Sequence, residues 1–543
     1  MASPLAALVD DYIAATNAYQ PVGASTRGFH QHDARLGDRS RTALEDRMRY
    51  VRAMLARLAS IDPATLTGNE PYDADLLKRR LAWEITDFEQ VRSWQRAPGA
   101  PLATIGSGCN GLVIRDFAPL PERIASLIAR LGEVPALLAQ AKENLVDPTR
   151  YHIETAIESA AGMRALFERD LPAAAAAAGD PALLRRFDAA NDAARTAVAD
   201  YAAWLKAHLL PRAREDVAWG AANMRALLSE TDSIDEPLDT LIARGEEDLR
   251  AHQARLQEVA AKLDPAATPA AVIEAVSGDH PAAAELLPHV RALLEDLRQF
   301  SIDARICTMP TDVRISVRET PGFSRMTTQA ACSTPGPFER VATEAYYYVT
   351  PPDTAWPADR TEAYLRFFNR WSIPGVTAHE AYPGHYVHLT YLQRASSAAG
   401  RYLLSITPVE GWAHYVEQVM IEEGYGAGEP RIELMQVREA LLRLCRYRCA
   451  FGLHAENWSY RQAVDFFARE GYATPVIAER ETRRGIIGPN YYAYTMGKHQ
   501  ILRLREKVRA KQGAAYDQAR FHDQLMQLPY PVSSIERIML GGA

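Results

Sequence analysis

Cysteine is scarce in this chain. It has only Cys109, Cys307, Cys332, Cys445 and Cys449 in 543 residues. Cysteines this few, odd in number and dispersed, exclude a disulfide framework and predict a reduced, cytoplasmic setting. Long apolar runs are lacking as well. No stretch approaches the ~18 apolar residues of a membrane span, and "MASPLAALVDDY" at the N-terminus meets two aspartates without a basic leader region. Neither a signal peptide nor a membrane partner is expected. Positive charge is not in excess: 61 Lys and Arg against 68 Asp and Glu leave a net charge of -7. That balance argues against nucleic acid or an anionic surface as the main partner. What remains is ordinary globular composition, 48% hydrophobic and 24% charged, which excludes global disorder. The length allows one large bilobal enzyme or roughly two to four domains.

Apolar periodicity predicts a mainly α protein. "RSRTALEDRMRYVRAMLARLASID" places Leu44, Met48, Val51, Met54, Leu55 and Leu58 at helical spacing. "PERIASLIARLGEVPALLAQAKENLV" and "LDTLIARGEEDLRAHQARLQEVAAKL" repeat the pattern. The alanine run Ala173–Ala178 reads as a surface connection, and no period marks a solenoid. Texture changes near Ser301. "RISVRET" and "EAYYYVTPP" are short β-branched and aromatic runs, the strand signals of the chain, and "CSTPGPFER" between them reads as a loop. The expected architecture is a large bilobal helical fold with a small sheet beside the site. Residues 1–300 form a helical lobe roofing a cleft and residues 301–543 carry the chemistry. Cys445 and Cys449, four apart on an expected helix, read as buried small side chains and not as a metal pair.

The chemistry centres on "TAHEAYPGHYVH", Thr377 to His388. In HExxH zinc enzymes two histidines at i,i+4 bind the ion and the intervening glutamate is the general base. Here Pro383 stands where the second histidine belongs, and His385 follows His379 by six residues. On an unbroken helix the two would point some 120° apart. Pro383 cannot continue a helix interior and Gly384 relaxes the backbone, so Pro-Gly is read as a two-residue bulge that returns His385 to the ligand position. His388, one turn on, is the alternative ligand or a partner of the ligands. "ITPVEGWAHYVEQVM" supplies the acid. Glu410 begins a helix whose face continues through His414 and Glu417, acceptors behind the ligands or substitute ligands, and Thr407-Pro408-Val409-Glu410 reads as its capping box. The expectation is one Zn2+ per chain on His379, His385 and Glu410, with Glu380 as base.

"HEAYPGH" followed by "EGWAHYVE" resembles the bacterial family called domain of unknown function 885, which looks like a distant member of the glutamate-ligand (gluzincin-like) zinc peptidases. The Glu-Gly-Trp-Ala-x-Tyr run is similar to a segment of zinc aminopeptidases whose glutamate binds the metal. The resemblance therefore implies the ligand role for Glu410 and not for Glu417. It extends to "PVGASTRGFHQHDARLGDRS", "GLHAENWS" and "YTMGKHQILRLRE". The chain departs from the family pattern at Tyr386 and His388, and in "CAFGLH" and "PNYYAYTMG".

Hydrolysis also needs a donor for the developing oxyanion. Tyr494 and His454 are the candidates, ahead of Tyr491 and Tyr492. Arg446 and Arg484 could hold a substrate carboxylate through bidentate geometry. An edge strand at Tyr347 in "EAYYYVTPP" could hold an extended peptide by strand addition. The leading expectation is a zinc metallohydrolase cleaving small peptides. A zinc amidohydrolase acting on a non-peptide amide or modified amino acid uses the same residues. A non-catalytic metal-containing binding protein is the third reading, and it leaves Glu380 without a purpose.

Overall fold

The computed structural model describes residues 3–322, 325 and 328–541. It is mainly helical with one small sheet. The periodic segments form the expected helices: Arg41–Ala59 buries Leu44, Met48, Val51, Met54 and Leu58 along one stripe. Leu120–Asn144 is long and apolar enough to cross a bilayer by composition. Its Ile124, Leu127, Leu131, Val134 and Leu138 instead share a core with the helix Pro181–Trp204. The alanine run is not a connection. Ala173–Ala177 lie in the helix Leu171–Ala177, which alanine favours intrinsically and which Leu171 and Ala175 tie to the core.

Residues from both sides of position 300 share cores. Leu241, Leu249 and Leu256 of the helix Leu238–Leu263 pack with Leu441, Leu444 and Tyr447 of the helix Pro430–His454. Cys445 and Cys449 lie fully buried in that same cluster as free thiols.

The sheet has strands β1 (Ser316–Glu319), β2 (Ala330–Ser333) and β3 (Tyr346–Val349), ordered β1-β3-β2. β1 pairs parallel with β3, and β2 pairs antiparallel with it. Two expectations change here. "CSTPGPFER" is not wholly loop, because Cys332 and Ser333 belong to β2. β3 is the central strand and not an edge, so its backbone is already paired on both sides. Tyr347 is buried, its hydroxyl 3.4 Å from Thr377 Oγ1. It supports the helix that carries His379 and cannot receive a peptide. The edge strands are β1 and β2.

Candidate metal centre

The first helix carrying a candidate ligand is Ile373–Glu380 and the second is His385–Gln393. The chain does not bulge within one helix, as the spacing suggested; it ends one helix and starts another. Pro383 has no N–H to continue the ladder. The Gly384 N–H bonds the Ala378 carbonyl at 2.9 Å, and the His388 N–H bonds the Gly384 carbonyl at 3.1 Å to open the next turn. The Pro383 carbonyl accepts from Trp412 Nε1 at 2.9 Å. A Cβ at position 384 would sit 2.0 Å from the His379 carbonyl oxygen and 2.3 Å from that of Ala378. Glycine is therefore required by close backbone approach. Gly384→Ala should cost about 3 kcal/mol, the upper end of overpacking penalties, read as a lower denaturant midpoint and weaker metal uptake. Gly375→Ala, on the same helix with nothing within 4 Å of its Cβ, is the control and should be neutral or slightly stabilising.

The break turns both imidazoles toward one point, with ring centroids 4.7 Å apart and planes at 82°. Glu410 enters from the helix Ile406–Glu422. Its Oε2 lies 3.5 Å from His379 Nε2 and 3.3 Å from His385 Nε2. Ligands bound to one zinc at ~2.1 Å in tetrahedral arrangement stand about 3.4 Å apart. The triad is the group of His, Cys, Asp or Glu atoms, among the described residues, close enough to share an ion. Two buried atoms in it, Glu410 Oε2 and His385 Nδ1, have no hydrogen-bond partner, which an occupant of the site would repair for the carboxylate.

Glu417 fixes the tautomer. Its Oε1 is 2.7 Å from His379 Nδ1, and a carboxylate only accepts, so Nδ1 carries a proton and Nε2 is the nitrogen turned toward Glu410. Burial opposes charge on His379, but Glu410 and Glu417 outweigh it and lift its pKa to about 9. Arg443 holds Glu417 Oε1 at 2.9 Å, and His414 Nδ1 stands 3.5 Å from Oε2. Nothing in the sequence singled out Arg443; one arginine among many carries no signal. His388 is buried beside Trp412, and burial together with His385 lowers its pKa to about 3. It stays neutral behind the ligands and is not in the triad.

Glu380 ends the first ligand helix, and its Oε2 accepts the Cys332 N–H at 2.7 Å. That N–H points outward from β2, so the sheet edge fixes the Glu380 carboxylate. Tyr494 opens the helix Ala493–Gln512 and its ring stacks on His379 with centroids 6.1 Å apart. Burial and Glu410 raise its pKa against the pull of Arg484, Arg446 and Arg443, so the hydroxyl keeps its proton and remains a donor. The other oxyanion candidates fall away. His454 Nε2 donates to the Gly485 carbonyl at 2.8 Å and its ring packs on Trp219; burial lowers its pKa to about 4, so Nδ1 has no proton to offer. The Tyr492 hydroxyl is held by Asp232 at 2.8 Å, and Tyr491 is buried against Gly485.

Asp232 also corrects the capping box. The helix begins at Ile406, and Thr407 is inside it. Asp232 accepts from the Ser405 hydroxyl and from the Thr407 N–H at 3.3 Å, from 175 residues away. A tertiary carboxylate does what a local side chain was expected to do. Arg446 is paired with Glu481 at 2.7 and 3.1 Å, and Arg484 donates to the Tyr494 hydroxyl at 2.9 Å. A separate cavity of about 340 Å³, lined by Tyr19, Arg47, Trp83, Glu84, Phe88 and Trp94 among others, includes none of the triad.

Two solved structures share this fold. One, described as "a putative lipoprotein of unknown function from Shewanella oneidensis", is 27% identical, with a TM-score of 0.82 over 99% of this chain and 100% of that one. The other, described as "the putative lipoprotein from Colwellia psychrerythraea", is 16% identical, with a TM-score of 0.86 over 100% and 99%. The cytoplasmic location expected from cysteine usage gains no support from these relatives. No curated protein matches the chain. The family model described as "Bacterial protein of unknown function (DUF885)" matches residues 21–539, and the chain belongs to that family.

Proposed function

We propose that this protein is a zinc-dependent hydrolase that cleaves the peptide bond of small peptides, a gluzincin-like metallopeptidase in function and in bilobal architecture. The observation that carries the reading is the convergence of His379, His385 and Glu410 at ligand spacing with Glu380 held beside them. A zinc ion on those residues would supply Lewis-acid polarisation of a carbonyl and acidify a water toward pKa ~7. The chain supplies the rest. Glu380, aligned by the Cys332 N–H, accepts the proton of the attacking water and passes it to the leaving nitrogen. Tyr494, its oxygen already accepting from Arg484, directs its own O–H at the developing oxyanion. Glu417 and Arg443 hold His379 in one tautomer. A purely structural metal site has no use for an aligned carboxylate next to its ligands.

The reading is tested on zinc-loaded protein with a dipeptide library and a set of acylated amines, each with and without chelator. Chelator-sensitive dipeptide cleavage is expected; turnover of acylated amines alone would make it an amidohydrolase, and turnover of neither would remove the catalytic reading. Tyr494→Phe should lower kcat by about 100- to 1,000-fold with KM little changed, because its bond forms only near the transition state. Near-normal kcat in that variant would reduce Tyr494 to aromatic packing.

A further inference from the structure

A chain of net charge -7 gathers three arginines around the ring of Tyr494. The guanidinium carbons of Arg443, Arg446 and Arg484 lie 5.9, 5.4 and 5.8 Å from its centroid. Two of these charges are already answered. Arg443 pairs with Glu417 at 2.9 Å and Glu439 at 3.7 Å. Arg446, its side chain 11% exposed, closes on Glu481 through both nitrogens. Arg484 differs from both. It is exposed, makes no ion pair with a carboxylate among the described residues, and its hydrogen bond runs to the Tyr494 hydroxyl. The same tyrosine ring stacks on His379. A solvent-facing guanidinium with donors to spare thus stands one aromatic ring from a candidate metal ligand. Glu481, whose two oxygens take Arg446, lies near enough to act on it through space but makes no direct ion pair with it.

We propose that Arg484 binds a carboxylate of the substrate, so that the peptides taken by this site carry a free carboxylate beside the scissile bond. This rests on the hydrolase reading above for the bond that is broken, but not for the contact itself. Guanidinium and carboxylate match as a planar fork, and such charge-assisted pairs are stronger than neutral ones. Arg446 would then be a wall that keeps Tyr494 in place and not a second anchor. The α-carboxylate of a C-terminal residue and an acidic side chain offer the same chemistry.

The test uses calorimetry on the full zinc-loaded chain with three metal-directed thiols. These are mercaptoacetyl-phenylalanine, its primary amide, and mercaptoacetyl-glutamate with only its side-chain carboxylate free. The acid should bind at least ~10-fold more tightly than the amide, as expected for a charge-assisted bond. In Arg484→Met the ratio should fall within about twofold while the amide's affinity holds. Arg484→Lys should restore part of it. Whichever of the two acids is favoured identifies the carboxylate's source. Equal binding of acid and amide by the wild type overturns the proposal, as does a ratio that survives Arg484→Met. If the protein takes up no zinc, the hydrolase reading fails separately. The acetyl-phenylalanine acid and amide pair on metal-free protein then decides for or against Arg484. An unchanged melting curve for the Met variant confirms that the fold is intact.

Discussion

His385→Ala should lose its zinc while His388→Ala keeps it. Purified without chelator, the wild type is expected to carry about one zinc per chain, measured by elemental analysis beside a protein assay. His385 Nε2 is 3.3 Å from Glu410 Oε2 and faces the same point as His379. Its removal leaves two ligands, too few to hold zinc against water. Loss of outer-shell partners alone weakens metal sites by about 10- to 100-fold, so deletion of a ligand should exceed ~100-fold. His388 is the right comparison because it is a histidine on the same short helix, also buried, with no place in the triad. Truncating it opens a cavity beside Trp412 and costs stability. Zinc retained by His385→Ala but lost by His388→Ala would move the centre one turn along the helix.

Glu380→Gln should keep zinc and fold yet lose hydrolysis by roughly 100- to 10,000-fold in kcat. Glutamine preserves size and still offers a carbonyl oxygen to the Cys332 N–H, so the local structure has little reason to change. What disappears is the capacity to accept a proton. The distinction from His385→Ala is sharp, since one variant loses the metal and the other loses turnover with the metal in place. Zinc content and unfolding curve should match the wild type, and kcat alone should fall. A Gln variant with most of its activity would mean that Glu380 is not the base. The aligned carboxylate would then need another purpose, such as holding β2 against the first ligand helix.

Much of the helical fold was legible because amphipathic helices write their period into the chain. Arg41–Ala59, Leu120–Asn144 and Leu238–Leu263 follow their apolar stripes. The sheet was half legible: β1 and β3 announced themselves by composition, but β2 sits in "AACS", whose small residues carry no strand signal. Strand order was not legible at all, because pairing partners depend on how distant segments dock. Hence Tyr347 was expected at an edge and lies at the centre. His454 shows the same limit, since only its surroundings distinguish a donor facing a cleft from a histidine tied to the Gly485 carbonyl.

The sequence by itself determined the candidate ligand types and their order: a His-Glu pair, a helix-breaking Pro-Gly, a second histidine, and a glutamate ahead of Gly-Trp-Ala. These are local facts, set by side-chain chemistry and by backbone torsions that proline and glycine impose on near neighbours. Tertiary structure decided how the residues meet. The helices Ile406–Glu422 and Ala493–Gln512 touch at Gly411 and Gly497, where a Cβ on Gly411 would come within 2.4 Å of Gly497 Cα. That close crossing brings Tyr494 over His379. Asp232 caps the Glu410 helix from across the chain, Arg443 steadies Glu417, and the Cys332 N–H aims Glu380. Each of these contacts joins segments far apart in sequence. Their free energy depends on the packing of the whole molecule, which no local pattern of residues encodes.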